Sequence, residues 1–87
     1  MVIKNKVPMV QLHKVFMIKE FRKDMLYLIE NYAFSNHSLA KHFQILPNSL
    51  ANILKGSMPR DKTWIRIYPK YEALIQELAE FESSRNQ

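Results

Sequence analysis

Ser38-Leu39-Ala40-Lys41-His42-Phe43-Gln44-Ile45-Leu46-Pro47-Asn48-Ser49-Leu50-Ala51-Asn52-Ile53-Leu54-Lys55-Gly56 is the stretch that decides the fold. Its pattern predicts two short helices with a tight bend between them. Leu39 and Phe43 are four apart, which places them on one helical face. Leu50, Ile53 and Leu54 form a second apolar face after the bend, and Ile45 and Leu46 are expected to plug the corner. Ala40, beside Leu39, is small enough to let the second helix approach. Pro47 suits the first turn of a helix, where its missing N–H is no loss. Gly56 ends that helix because it enters the left-handed conformation cheaply.

This layout resembles the helix-turn-helix of the Cro-like phage-repressor family, the XRE-like DNA-binding domains. The likeness runs through Leu39-Ala40, Phe43, Ile45, Leu50, Ile53 and Lys55-Gly56, and with the flanking helices it covers residues 19–70. Two residues depart from the family pattern. Gln44 stands where the family usually has a turn glycine, so a positive φ there carries strain of about 1 kcal/mol. Leu46 stands where a Ser or Thr usually caps the second helix, and loss of such a cap costs about 1 kcal/mol.

Outward from the motif, residues 9–32 contain no glycine or proline. Ile18, Phe21, Met25, Leu28, Ile29 and Tyr32 lie on one stripe, with Lys19, Arg22 and Lys23 outside it, and this predicts the first core helix. Met9 to Met17 fits neither helical nor strand spacing well and reads as a helix running into the next or as a short strand. Its apolar content points to packing on the domain or a subunit contact. Ser35 is placed to cap the helix that follows. Asp61 is placed to cap a further helix over residues 62–68, with Trp64, Ile65 and Ile67 facing inward. The same residues alternate as a strand would, and the family resemblance favours helix. Trp64 reads as a core anchor. Pro69 is expected to restart the chain as a last helix, with Tyr71, Leu74, Ile75, Leu78 and Phe81 (or Ala79) inward and Glu72, Glu77, Glu80 and Glu82 opposite. The expected fold class is all-α, a compact bundle of about five short helices containing a helix-turn-helix. Residues 1–17 form an N-terminal extension, 18–68 the core, 69–82 the C-terminal helix and 83–87 a disordered tail.

The composition bounds the function. Eighty-seven residues make one small domain, and there is no cysteine for a disulfide or a cysteine-containing zinc site. No apolar run approaches the roughly 18 residues of a membrane span, and the first residues lack the apolar core of a signal peptide, so a cytoplasmic protein is expected. The net charge of +5 is unevenly placed. Residues 1–70 carry twelve Lys/Arg against four acids, a net +8, and residues 71–87 carry one arginine against four glutamates, a net −3. That asymmetry suits a body facing a polyanion and an acidic tail facing elsewhere. Lys4 and Lys6 can form a basic arm or a frayed terminus.

The resemblance implies double-stranded DNA as partner, with residues 47–55 as the recognition helix in the major groove. Asn48 and Asn52 share its outward face, and an asparagine side chain matches adenine by donating and accepting together. Pro47 or Ala51 can touch a thymine methyl. Ser49 and Lys55, with Arg60, Lys62 and Arg66 after the motif, are expected on the phosphate backbone, which sets register but carries no sequence information. Asn36 takes the place of a family glutamine that touches a phosphate, and it can equally be a simple part of the cap. A homodimer or a protein partner is expected, because one such domain buries little DNA surface. Catalysis finds no support, and no cofactor or small-molecule substrate is expected. His13, His37 and His42 show no metal-ligand spacing, and a single glycine cannot build a phosphate loop. A second reading, of a different class, is a protein-interaction module on the same fold: an anti-repressor, an antitoxin or an adaptor.

Overall fold

A computed structural model describes residues 9–85, with side chains from 13 to 84. The described chain is all-helical: α1 (Met9–Asn31), α2 (Asn36–Phe43), α3 (Pro47–Lys55) and α4 (Asp61–Arg85). This corrects the expected five short helices to four, two of them short and two long. Residues 9–17 are the first half of α1, and residues 61–85 are one helix with Pro69 inside it. Ser83 to Arg85 are helical too, where a disordered tail was expected.

Pro69 cannot give an N–H to the carbonyl of Ile65, and a proline in a helix interior costs about 3 kcal/mol. α4 runs through it because of where the residue falls. Pro69 is exposed and Ile65 is 71 % exposed, so the orphaned carbonyl is on the side water can reach. On the opposite side Trp64, Ile67, Tyr71, Leu74 and Leu78 continue one stripe through the proline. Their joint burial outweighs the single lost hydrogen bond. The exposure of Ile65 also corrects its expected inward placement and removes the strand alternation.

The short helices follow local rules closely. Ser35 caps α2 from extended backbone, accepting from the Ser38 N–H at 3.1 Å, and Ser38 Oγ accepts from the Ser35 N–H at 2.8 Å. This is a reciprocal capping box with serine in the place of the usual Glu. α2 ends with Gln44 in the left-handed region (φ 60, ψ 43). The Gln44 N–H meets Lys41 O and the Ile45 N–H meets Ala40 O, which satisfies the last carbonyls. α3 ends the same way, with Gly56 at φ 128 and the Gly56 and Ser57 N–H groups on Ile53 O and Asn52 O. At the head of α3, Pro47 occupies the first turn, and Leu46 precedes it with no side-chain cap. Leu46 is 71 % exposed, so Ile45, packed on the core, plugs the corner without it.

α1 and α4 run side by side in the same direction, joined from Lys14–Asp61 at one end to Tyr32–Glu82 at the other. α2 and α3 pack against this pair. Phe21 of α1 is fully buried at the hub. Its ring meets Phe43 of α2 at 5.5 Å and, edge to face, Trp64 and Tyr71 of α4 at 5.7 and 5.1 Å. Edge-to-face pairs at such distances add to the area each ring removes from water. Trp64 is a core anchor, as its sequence context suggested.

Candidate nucleic-acid interface

The side chains of α3 divide by helical spacing. Leu50 and Ile53 are buried and Leu54 is half-buried, which fixes the inward face. Asn48, Asn52 and Lys55 are consequently exposed on the opposite side. Pro47 and Ala51 flank them, half-buried. Ser49 is also half-buried and looks across a groove toward Thr63 in the first turn of α4. The groove widens into a cavity of about 400 Å³ near Asn52, Met58 and Arg60, and one of about 450 Å³ near Gln44, Leu46 and Arg66. Neither cavity has a carboxylate in its wall.

Cations of α1 and α4 hold α3 and its loops in place. Arg22 donates through Nε to Ile53 O at 2.7 Å and through Nη2 to Ser57 O at 3.0 Å, closing the C-terminal end of α3. A cation at that end is favoured by the helix dipole as well as by the two hydrogen bonds. Lys14 donates to Pro59 O at 2.8 Å and pairs with Asp61 at 2.6 Å, pinning the loop before α4. Asp61 is the first residue of α4 and the Trp64 N–H meets Arg60 O, so Asp61 contributes charge to the first turn in place of the expected cap. Arg66 donates to Gln44 O at 3.3 Å, supporting the left-handed turn. Sequence reading missed Lys14 and Arg22 as internal donors. Arg22 directly follows Phe21, and at the border of an apolar stripe a long stem can pack while its head reaches a neighbouring element.

The expected backbone contacts therefore fall into two groups. Lys55, Arg60 and Lys62 are exposed. Arg66 is exposed but ties down Gln44 O, and Asn36 is half-buried, with its Nδ2 3.4 Å from Pro47 O. Asn36 thus links the starts of α2 and α3, and its Oδ1 is buried without a hydrogen-bond partner. The lysine arm at Lys4 and Lys6 lies outside the described residues.

No family model, curated protein or solved structure matches the chain.

The acids gather elsewhere. Tyr27 and Tyr32 both donate to Glu82 Oε2 at 2.6 Å, and Tyr71 donates to Asp24 Oδ2 at 2.6 Å. The Glu82 hydrogen bond, with smaller contributions from burial and charge, pushes the Tyr27 phenol up to about 12. Burial first, then the hydrogen bond to Asp24, raises the Tyr71 phenol above its usual range. A hydrogen bond to Glu72 is the main cause of the raised Tyr68 phenol. Every one of these carboxylates belongs to α1 or α4. Glu72 also lines an apolar groove of about 340 Å³ between Met17 of α1 and Tyr71, Ile75 and Ala79 of α4, to which α2 and α3 contribute nothing. Among the described residues no cluster of three His, Asp or Glu side chains could hold a metal ion, and no helix is long and apolar enough to cross a membrane.

Proposed function

We propose that the chain is a sequence-specific double-stranded DNA binder, a small helix-turn-helix transcriptional regulator of the phage-repressor type acting in the cytoplasm. The observation that carries this reading is the pair Asn48 and Asn52, exposed together on the outward face of α3 beside walls without carboxylates. α3 enters the major groove. Asn48 and Asn52 read base edges by paired donor and acceptor, and Pro47 or Ala51 meets a thymine methyl. Ser49, Lys55, Arg60 and Lys62 hold phosphates and set the register. Arg66 and Asn36 serve chiefly to fix the turn and the two helix starts that present these groups. Two copies on paired half-sites give useful affinity, their centres about one helical turn apart.

The test is selection of bound sites from a random duplex pool, followed by variants on the selected site. Asn52→Ala is expected to reduce discrimination between sequences, whereas Lys55→Ala weakens all sites alike. Unchanged discrimination in both Asn48→Ala and Asn52→Ala would remove α3 as the reading helix.

A protein-interaction role has its own support. Phe16 is 62 % exposed and Val15 39 % exposed in the first half of α1. A gel-shift titration on mixed duplex at two salt concentrations separates the two readings, because binding without salt sensitivity, or none at all, favours the second.

A further inference from the structure

We infer that the outer edge of α1, carrying Lys19 and Lys23 and continuing to Lys55 at the end of α3, is a second phosphate-binding surface for the same duplex. The inference rests on the DNA-binding reading above and extends its footprint past the recognition helix.

Placement comes from Arg22. Its hydrogen bonds to Ile53 O and Ser57 O lay the middle turns of α1 against the C-terminal end of α3. At 100° per residue, Lys19 and Lys23 fall about 60° and 100° round the helix from Arg22, both on the side turned away from Phe21 and Met25. Both are exposed, and neither forms an ion pair among the described residues. The acids of the same turns follow next round the helix, Glu20 about 60° and Asp24 about 100° beyond Lys23. Asp24 accepts from the Tyr71 hydroxyl, and Glu20 lies close enough to oppose ionisation of that same phenol. Lys19 and Lys23 therefore lie between Arg22 on the α3 side and Glu20 and Asp24 on the α4 side.

A helix C-terminus ordinarily repels an anion, since its free carbonyls carry roughly half a negative charge. Here the Arg22 guanidinium bonds the Ile53 carbonyl in the last turn and the Ser57 carbonyl just past it, and exposed Lys55 adds a second cation at that end. The end of α3 thus becomes a place a phosphate strand can pass. It leads from Lys55 onto Lys23 and Lys19.

The experiment measures the slope of log binding constant against log salt concentration for the full chain on its selected site. Each phosphate contact contributes about 0.9 to that slope. K19A/K23A is expected to reduce it by about 1.8 with the order of sequence preference unchanged, and K19R/K23R to retain it. Q76E/A79E lowers the net charge equally at exposed positions of α4 and is expected to change the slope much less. A parental slope in K19A/K23A, or an equal loss in Q76E/A79E, overturns the inference while leaving α3 as the DNA reader. Absence of salt-dependent binding by the parent chain overturns both.

Discussion

Gln44 and Leu46 sit two residues apart, and each does a job for which its side chain is poorly suited. Gln44 holds φ 60 so that α2 can end and α3 can begin, at a strain of about 1 kcal/mol that glycine would not carry. Gln44→Gly is therefore expected to raise stability by about 1 kcal/mol, read as a higher urea midpoint with unchanged slope. The Arg66 hydrogen bond to the backbone carbonyl survives that change, since it does not use the side chain. Leu46 leaves the first N–H groups of α3 without a side-chain acceptor and exposes its own apolar surface. Leu46→Ser is expected to add about 1 kcal/mol by the same measurement. Both weaknesses were legible in the sequence, because a cap or a turn is decided within a few residues. The inward use of Lys14 and Arg22 was not legible. Their partners lie 45 and 31 residues further along the chain, and nothing local distinguishes them from solvated cations.

At the scale of the element, α4 shows propensity yielding to packing. A proline four residues after an isoleucine reads as a helix restart, and the chain instead carries one helix across it. The stripe from Trp64 to Leu78 holds both halves on the same core, so the break that proline favours would cost more buried surface than the missing hydrogen bond is worth. Pro69→Ala should restore the donor to Ile65 O and stabilise the protein. The gain is expected to be about 1 to 2 kcal/mol, less than the full helix-interior penalty because alanine also loosens the unfolded chain. A decrease in the thermal midpoint of this variant would mean that the carbonyl, or a bend at Pro69, is used in packing. α1 joins Met9–Met17 to the predicted core helix for a related reason. With no glycine or proline between them, the helix has nothing to stop it.

Across the whole molecule, tyrosine–carboxylate pairs tie the second half of α1 to α4, at Asp24–Tyr71 and Tyr27–Glu82, and these pairs make stability depend on pH. A phenol whose folded value lies above its unfolded value of about 10 contributes stability that is complete below pH 10 and disappears as pH rises through the folded value. For Tyr27 that window runs from about pH 10 to about 12. Tyr68 and Tyr71 are raised as well and act in the same direction. The thermal midpoint is expected to fall through this alkaline range, and Tyr71→Phe should make the fall shallower. A midpoint that stays level from pH 9 to 12 would show that these hydroxyls do not bond carboxylates in solution. α3 and the loops on either side of it, residues 44–60, carry Lys55 and Arg60 and no acid, with Asp61 just beyond them paired to Lys14. The net +8 over residues 1–70 anticipated that placement in total but not in position.

By itself the sequence determined the two short helices, their caps, the outward pair Asn48 and Asn52 and the inward stripes of α1, α2 and α3, because hydrogen bonding and side-chain spacing within a turn or two are sufficient to set them. It misplaced Ile65 and Phe81 of α4, which are exposed. Tertiary structure alone decided that α4 passes through Pro69 and which cations face inward. Both depend on the burial or hydrogen bonding of residues distant in the chain, and that free energy exists only once the helices have met.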